Sequence, residues 1–320
     1  MSESEAGRRA TASAGSQAPL RVLWNPAAGR KGGLPTGGAD EQSLRDALES
    51  HGLRVDLLAT ESEDDCRQQA REAVADGCRV VVAAGGDGTI GAVAEELLHS
   101  DTALGMLPLG SVMNIPRMLG IPRDLDGASA ALAAGSVRAV DVGEANGRLF
   151  YEAASVGMNA AMFREAQRFD EGDYSSPLRT MWVALRYRPA RMRLHLDEGM
   201  VRIRALMITV SNGPYTGMGL TVAPEARLDD GRFDVVVFRH YSKFELLRHL
   251  GAIAFGRRRY TPHARTYRSA LVRVESSRPL PCRADSHDLG TTPLECKVRR
   301  ASLRVVVGPS FGQGAAQPEA

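Results

Sequence analysis

The sequence predicts an α/β domain followed by an all-β domain, and three observations support this fold class. Apolar runs alternate with segments of helical spacing as far as residue 142, which is typical of a parallel sheet covered by helices. Beyond that point short strands separated by turn residues dominate. At 320 residues the chain is long enough for two domains, each with its own core. We therefore expect an α/β domain over 20–142 and a β domain over 143–309, between a disordered leader (1–19) and tail (310–320), with a last strand that could return to the first domain.

The first half alternates strands and helices in a regular order. Strands are expected at 21–24, 53–59, 80–84, 104–107 and 139–142, and helices near 44–48, 66–75, 90–99 and 125–134. Four of the strands end in the loops at Asn25, Thr60, Gly85 and Gly110. Because the carboxyl ends of parallel strands meet at one edge of a sheet, we expect these four loops to form a ligand site there.

The second half reads as short antiparallel strands broken by turns. Strands are expected at 149–153, 192–196, 202–211, 232–238, 270–275 and 303–307, with helices at 176–187 and 243–255. This pattern favours a sandwich or barrel packed beside the α/β domain. The cleft between the two domains is then the default position for a site.

The most informative stretch is a glycine-rich loop after the strand at residue 80. Gly85, Gly86, Asp87, Gly88 and Thr89 follow an apolar run, and a helical pattern resumes after them. Backbone N–H groups in such a loop, with the positive end of the next helix, can hold phosphate oxygens. The carboxylate of Asp87 would repel those oxygens unless a divalent cation lies between them. The loop therefore indicates a metal–nucleotide site and favours phosphoryl transfer.

Two other interpretations of this loop stay open. Gly86, Gly88 and Gly91 also fit the spacing of a dinucleotide-binding fingerprint. However, that fingerprint normally follows the first strand, and a pyrophosphate bound without metal gains nothing from Asp87. Glycine-rich turns between a strand and a helix also occur with no ligand at all. A dinucleotide oxidoreductase and an ordinary turn are therefore the alternatives.

Composition narrows the classes of protein further. A hydrophobic fraction of 43% with 24% charged residues is ordinary for a globular protein, and a net charge of +2 is too small to indicate a nucleic-acid binder. The four cysteines form no C-x-x-C pair, which is typical of reduced thiols in a cytoplasmic protein. No apolar run approaches the roughly 18 residues needed to span a bilayer. Residues 1–19 also lack the apolar core of a signal peptide.

Six short motifs occur in a fixed order along the chain. They are Asn25–Gly29 (NPAAG), Gly85–Thr89 (GGDGT), Pro108–Ser111 (PLGS), Ala223–Ala226 (APEA), Asp229–Asp234 (DDGRFD) and Gly290–Pro293 (GTTP). As an ordered set they resemble the diacylglycerol-kinase-like lipid kinases, a family that includes bacterial lipid kinases and sphingosine and ceramide kinases. The resemblance covers roughly residues 20–309. It implies an NAD-kinase/phosphofructokinase-like α/β domain, then an antiparallel β-sandwich domain, and a transferase of lipid metabolism that phosphorylates a lipid hydroxyl with ATP and Mg²⁺.

The resemblance also implies roles for particular residues. Asp87 would be catalytic by engaging the Mg²⁺ that accompanies ATP. A structural Mg²⁺ would be held by the Asp230 side chain with the backbone carbonyls of Arg227 and Arg232, although Asp229–Gly231 alone would read as an ordinary hairpin turn. Ser111 replaces the family's usual threonine and keeps the hydroxyl. The nucleotide-binding residues would be Asn25, Thr60, Gly85, Gly86, Asp87, Gly88, Thr89, Gly110 and Ser111.

The general base is the main departure from the family's pattern. The family uses the Glu of an Asp-Gly-Glu turn, and the aligned residues here are Asp285-Ser286-His287. His287 is the candidate base, since histidine has an ordinary pKa near 6.5. Asp288 would take that role if the turn shifts by one residue. A solvated turn histidine, in an enzyme that lost its base, is the other alternative.

Two further departures lie near the nucleotide. Gly91-Ala92 stands where the family usually has Asn-Glu, and Met113 stands where it has Asn, with Asn114 one residue later. Together with His287 they leave open a catalytically silent nucleotide-binding protein. A kinase for a soluble acceptor such as NAD is a further alternative.

A lipid acceptor implies contact with a membrane surface. Phe244, Leu247, Leu250 and Ala254 form an apolar stripe that ends in a basic run at 257–260, and Trp182 to Arg188 is a second amphipathic stretch. Helices packed into a core would give the same patterns. We therefore expect a cytoplasmic protein, peripheral at the membrane, whose partner is a lipid substrate of diacylglycerol-like or sphingoid type and not nucleic acid. The sequence leaves a homodimer open.

Overall fold

Two sheets form the framework of the molecule, which is a computed structural model. The structure describes residues 19–28, 30–31, 34–35, 38–170, 176–217, 219–239 and 264–313. Residues 1–18 of the expected leader, residues 314–320 of the expected tail and the predicted helix at 243–255 lie outside the described residues. The same is true of the apolar stripe and basic run at 244–260.

The first half is an α/β unit built on parallel strands. Its strands, β1 to β6, are Leu20–Trp24, Arg30–Lys31, Leu34–Pro35, Val55–Ala59, Val80–Gly85 and Ala103–Pro108. Its helices, α1 to α5, are Glu41–Ser50, Glu63–Ala75, Asp87–Leu97, Asn114–Met118 and Leu125–Ala134. The strands β6, β5, β1 and β4 lie side by side and parallel, while β2 and β3 pair separately. Because helices cover both faces, β5 and β6 are buried along nearly their whole length.

Local side chains fix where the helices begin. The carboxylate of Asp40 accepts a hydrogen bond from Ser43 N (2.8 Å), and the Ser62 hydroxyl accepts one from Asp65 N (3.1 Å). Both residues stand one position before their helices, α1 and α2, and satisfy backbone donors that would otherwise lack partners. Each helix therefore starts within a few residues of the loop that precedes it.

The second half is antiparallel. Its strands, β7 to β20, are Val137–Ala145, Arg148–Phe150, Ala153–Gly157, Ala190–Leu196, Gly199–Ala205, Met207–Ser211, Tyr215–Thr216, Leu220–Thr221, Phe233–Phe238, Ala264–Ser269, Leu271–Ser276, Pro281–Ala284, His287–Thr291 and Leu294–Val306. Its helices are α6 (Met158–Asp170) and α7 (Ser176–Arg186). A six-stranded sheet, ordered β16-β15-β12-β9-β18-β19, packs over one end of the larger sheet. Between the sheets the rings of Phe150 and Phe233 stack with centroids 5.4 Å apart, which confirms the expected sandwich.

The long strand β20 joins the two halves into one ten-stranded sheet. It pairs antiparallel with β17 and β7, and its far end pairs parallel with β6 at Val305 and Leu104. Eight strands of the larger sheet therefore run in the order β11-β10-β17-β20-β6-β5-β1-β4, and β7 and β8 branch from β20 as the other two. The last strand of the chain returns to the α/β unit and completes its sheet.

Among the elements that differ from the sequence expectations, three are the most informative. The single strand expected at 202–211 is two strands, because the chain leaves the larger sheet at Leu206, where Leu206 N donates to Phe238 O, and enters the smaller one. The strand expected at 149–153 is likewise interrupted at 151–152, between β8 and β9. Helix α6 was not expected, since it follows β9 directly at Gly157 (φ +99°) with no intervening loop to mark its start.

Candidate active site

A cleft of about 550 Å³ opens at the carboxyl edge of the parallel strands. Its described lining residues all lie between positions 25 and 113, in the α/β unit. The predicted nucleotide-binding residues that line it are Asn25, Thr60, Gly86, Asp87, Gly88, Thr89, Gly110 and Ser111. Gly85 does not line the cleft; it is buried as the last residue of β5.

Two glycine loops meet backbone against backbone at the floor of this cleft. A Cβ atom on Gly110 would lie 2.9 Å from the Gly86 Cα and 2.6 Å from the Met113 sulfur. Leu109 N donates to Gly85 O (3.0 Å), which ties the second loop to the end of β5. Met113 has a left-handed backbone (φ +57°), and its sulfur accepts a hydrogen bond from Gly110 N (3.2 Å). The residue that departs from the family's Asn therefore closes this loop.

Asn25 and Thr60 brace the loops around the cleft. The Asn25 amide donates to the Thr89 hydroxyl (3.3 Å), and its carbonyl oxygen accepts from Ala27 N (2.9 Å). Thr60 donates to Trp24 O through its backbone N–H (2.7 Å) and its hydroxyl (3.2 Å). The Thr60 hydroxyl is thus used within the protein, so this residue supports the cleft by holding β1 to the loop after β4.

Asp87 is the first residue of α3, and its carboxylate faces both the cleft and α4. One carboxylate oxygen accepts from Asn114 N (3.3 Å), and the other accepts from Ile115 N (3.2 Å). Burial raises the pKa of Asp87, and these backbone donors partly offset the rise. Asp87 therefore positions the short helix α4 in addition to facing the cleft.

The charges around the cleft determine what it can bind. Glu61, Glu63 and Asp87 line it, and the described lining residues include no lysine or arginine. A polyphosphate brought here would meet three carboxylates and be repelled, unless a divalent cation accompanied it. Carboxylate oxygens beside the N–H groups that begin α3 are a donor set that fits a Mg²⁺–phosphate complex.

A buried polar group that the sequence analysis missed lies behind Asp87. Glu152, 8% exposed, accepts hydrogen bonds at one carboxylate oxygen from the Asn114 side chain (3.0 Å) and from Gly217 N (3.0 Å). Burial raises the pKa of Glu152 well above its ordinary value, and the charges of Asp285 and Asp87 raise it further. A single acid within the apolar run 149–156 was the signal that could have revealed it.

Asp285 fixes the turn that carries the candidate base. It has a left-handed backbone (φ +44°), and its carboxylate accepts from the N–H groups of Tyr151 (2.7 Å), Glu152 (3.1 Å) and Ala153 (3.0 Å). Burial raises its pKa despite those donors. The cation nearest in sequence is Arg283, itself 6% exposed and stacked 4.2 Å from the centre of the Phe163 ring.

His287 lies outside the residues that line the cleft. It is the first residue of β19, exposed at the surface, and partial burial followed by the charge of Arg148 lowers its pKa. Glu63, which lines the cleft, is among the charges that act on His287.

Asp288, the alternative base, is engaged elsewhere. Its carboxylate forms an ion pair with the Arg164 guanidinium, at 2.5 Å from Nε and 2.6 Å from a terminal nitrogen. This pairing lowers the pKa of Asp288 and makes it a weaker base. The geometry therefore favours His287 over Asp288.

The expected structural metal site contains an arginine. The Asp230 carboxylate accepts from Arg232 N (3.0 Å) and from the Arg268 guanidinium, which also lies 3.9 Å from the buried Asp234 carboxylate. Asp141 holds the same turn by accepting from Gly231 N (2.6 Å). Within the described residues no group of three or more acidic, histidine or cysteine side chains could hold a metal. An arginine thus lies where the resemblance places a cation, and a metal site at Asp230 with the carbonyls of Arg227 and Arg232 stays a prediction.

Gly91, which stands where the family usually has Asn, has a packing role. Tyr151 lies over Gly91, with its ring 3.6 Å from where a Cβ would stand, and its hydroxyl donates to Gly91 O (3.3 Å). A larger residue at position 91 would press on this ring. The contact joins the start of the second half directly to α3.

Comparison with known proteins agrees with this architecture. Residues 19–145 match the diacylglycerol kinase catalytic domain, and residues 152–307 match the YegS C-terminal NAD kinase beta sandwich-like domain. No helix within the described residues is long and apolar enough to cross a membrane.

Relatives and solved structures extend the match over most of the chain. A diacylglycerol kinase of Bacillus subtilis is 28% identical over 247 residues, which is 71% of this chain and 76% of that protein. A protein of Pseudomonas aeruginosa named "Probable lipid kinase YegS-like" is 28% identical over 278 residues, or 85% and 91% of the two chains. The crystal structure of a diacylglycerol kinase from Bacillus anthracis has the same fold, with a TM-score of 0.69 at 17% identity, over 92% of this chain and 98% of that one. With both domains matched in the family's order, the chain belongs to the diacylglycerol-kinase-like family of lipid kinases.

Proposed function

We propose that this protein is an ATP- and Mg²⁺-dependent lipid kinase that transfers the γ-phosphate of ATP to the hydroxyl of a diacylglycerol-like or sphingoid lipid. The observation that carries the proposal is the cleft at Gly86–Thr89, which offers backbone N–H groups and carboxylates together. Its affinity for phosphate then depends on an accompanying cation. Phosphoryl transfer has the same requirement, because charge develops on the transferred group.

Each part of the cleft would have a separate task. The N–H groups of Gly88 and Thr89, at the start of α3, bind phosphate oxygens and orient them. Asn25, through Thr89, keeps the first turn of α3 in register with the end of β1. Mg²⁺ bound with ATP would screen the phosphate charge next to Asp87. Since transfer relies chiefly on positioning and electrostatics, these groups supply most of the rate.

His287 would accept the proton of the lipid hydroxyl. Its lowered pKa leaves the imidazole neutral at pH 7 and able to take a proton. Because the folded-state pKa lies below the ordinary 6.5, we expect activity to hold from neutral pH downward and to fall only when the pH drops below about 6.5. Its exposed position requires the acceptor to approach from the β half, across the turn at 285–287.

A catalytically silent nucleotide-binding protein is the second candidate. The observation that favours it is the position of His287 outside the cleft, together with the pairing of Asp288 by Arg164. Such a protein would bind Mg²⁺–ATP in the same cleft but would leave a lipid unmodified.

The deciding experiment is transfer of labelled γ-phosphate from ATP to mixed lipid vesicles with Mg²⁺. We expect Asp87→Asn to lose about 10²-fold or more in rate, the scale of one preorganised electrostatic group. His287→Asn should lose less and should also remove the acid limb of the pH profile. Asp46→Asn, an exposed carboxylate on α1, is the matched control. Wild-type protein that binds ATP but labels no lipid would assign the silent function instead.

A further inference from the structure

One face of the β10–β11 hairpin concentrates positive charge. Arg191 and Arg193 on β10 stand directly opposite Arg204 and Arg202 on β11. All four side chains are exposed, while the residues between them, such as Met192 and Ile203, are buried in the sandwich core. The four arginines therefore share the solvent side of the sheet, which we call the arginine face.

The arginine face has little internal compensation. Like charges directly opposite each other destabilise an antiparallel pair. Within the described part of the chain the nearest carboxylate is Glu275, 3.7 Å from Arg193, and the same carboxylate also serves Arg273 (3.1 Å) and His195 (3.6 Å). The chain as a whole carries a net charge of only +2, so this concentration is local. An arrangement that costs stability, and that among the described residues has only the shared Glu275 carboxylate to compensate it, suits an external anion.

The shape and the neighbouring side chains indicate what kind of anion. The arginines and Glu275 border a shallow cleft of about 640 Å³ that also includes Ser276 and Ser277. Two large apolar side chains on the same side of the sheet are unusually exposed, Met200 at 44% and Leu271 at 58%. Met200 stands opposite His195, which in turn stands opposite Arg273, two residues from Leu271. Apolar tips beside arginines match a lipid surface, where the tips enter the headgroup layer and the arginines meet phosphates.

The second amphipathic stretch found in the sequence leads into this face. Trp182 on α7 is 56% exposed, and the Arg186 guanidinium lies 4.4 Å from the centre of its ring. The chain then enters β10 at Ala190, immediately before Arg191. Further along, Arg278 donates to Arg188 O (3.0 Å), which places another guanidinium next to this segment.

We propose that the arginine face, with Met200 and Leu271, docks the protein on a bilayer that contains anionic lipid. The inference does not depend on the proposed kinase activity, since docking requires neither ATP nor turnover. A protein that acts on a lipid has to reach the bilayer, and the arginine face would be the surface that contacts it. The strands β10, β11 and β17 of this face carry no phenylalanine, tyrosine or tryptophan that could stack on a base, which favours a membrane over nucleic acid.

The test is co-sedimentation of the full chain with vesicles of phosphatidylcholine, with and without phosphatidylglycerol. Wild-type protein should bind only the anionic vesicles, and added salt should release it. Arg202→Gln combined with Arg204→Gln should weaken binding about thirtyfold, the effect of losing two arginines near an anionic surface. Leu271→Asn should weaken it further, through lost apolar contact.

Matched controls make the result specific. Arg138→Gln combined with Arg304→Gln removes the same charge from exposed positions on β7 and β20 and should bind like wild type. The Arg202/Arg204 variant should unfold at the same or a higher temperature than wild type, because it removes opposed like charges, so lost binding would not reflect lost folding. Equal weakening by both double variants, no binding to anionic vesicles, or displacement from them by duplex DNA at equal phosphate concentration would each overturn the proposal.

Discussion

At the scale of single residues, the unusual group is the buried carboxylate of Glu152. One of its oxygens accepts two hydrogen bonds, one from each side of the boundary between the halves: the Asn114 side chain on α4 and the backbone of Gly217. Asn114 N in turn donates to Asp87. A carboxyl that does not line the cleft therefore helps to set the position of the residue that faces the nucleotide site.

The pKa of Glu152 predicts how stability varies with pH. Burial raises its folded-state pKa well above the ordinary value near 4.5, so the folded protein holds this proton more tightly than the unfolded chain does. Its stabilising contribution is then complete below about pH 4.5 and is lost as the pH rises through the folded-state pKa. We expect Glu152→Gln, which keeps a carbonyl oxygen for both donors, to gain stability over wild type progressively as the pH rises.

Urea unfolding at a series of pH values measures this difference. Glu152→Ala is the contrasting variant, since it leaves the Asn114 side-chain N–H and the Gly217 backbone N–H without this acceptor and should be about 2 kcal/mol less stable than Glu152→Gln at every pH. A free-energy difference between Glu152→Gln and wild type that stays constant with pH would contradict the raised pKa.

The sequence alone identified the residues of the glycine loop, but it did not identify Glu152 and its hydrogen-bond partners. Gly86–Thr89 form a local pattern after an apolar strand, and a single strand–helix turn of this kind is enough to predict a phosphate-binding loop. Glu152, Asn114 and Gly217 come together only because the residue before β9 and the residue after β13 meet α4 across the boundary between the halves. No spacing within one segment encodes that contact, although an acid inside an apolar run marks the position.

At the scale of elements, the contact between the two glycine loops should control the nucleotide cleft. Gly110→Ala would place a methyl group within 2.9 Å of the Gly86 Cα, and backbone cannot move aside cheaply. We expect this variant to lose both thermal stability and ATP binding, measured by thermal unfolding with and without Mg²⁺–ATP.

Gly88→Ala is the matched variant for this prediction. A Cβ on Gly88 would meet nothing within 4 Å, and alanine favours a helix over glycine by about 1 kcal/mol. It should therefore be as stable as wild type or more so, with ATP binding weakened only by the methyl group in the cleft. Equal stability in both alanine variants would show that the loop contact is unimportant.

The turn at Asp229–Gly231 is a second element whose chemistry can be tested. Because the Arg268 guanidinium occupies Asp230, chelation with EDTA should leave the thermal midpoint of the protein unchanged. Arg268→Ala should lower that midpoint and make it rise again when Mg²⁺ is added, since Asp230 and Asp234 would then lack their cation. Arg265→Ala, on the same strand, is the control.

Repeating the EDTA measurement in Asp87→Asn, which lacks the cleft carboxylate, separates the turn from the cleft. In that variant, a thermal midpoint that falls with EDTA would mean that a resident cation, and not Arg268, holds the turn. The motif alone could not predict the contact between Arg268 and Asp230, because Arg268 lies 38 residues beyond Asp230 and reaches it only through the pairing of β15 with β16.

At the scale of the whole molecule, strand alternation predicts the order of the two halves but not how tightly they are joined. The last strand was expected over 303–307, yet β20 begins at Leu294. Its first part belongs to the β half, where apolar residues alternate with charged ones such as Lys297, a half-buried strand pattern that the sequence expectation left out. Only its final residues are apolar enough to be recognised, and these are the ones that lie against β6.

Because β20 completes both cores, the two halves should unfold together. The chain offers one probe in each half: Trp24 lies on β1, and Trp182 lies on α7. In Trp182→Phe the fluorescence reports the α/β half, and in Trp24→Phe it reports the β half. Since β20 contributes to both cores and cannot leave one half without exposing the other, we expect both signals to share one urea midpoint, and circular dichroism to coincide with them. Arg138→Gln, which leaves both tryptophans in place, provides a reference for the effect of an unrelated substitution. Two separated midpoints would mean that the α/β half keeps its fold without β20, and its sheet would then end at β6.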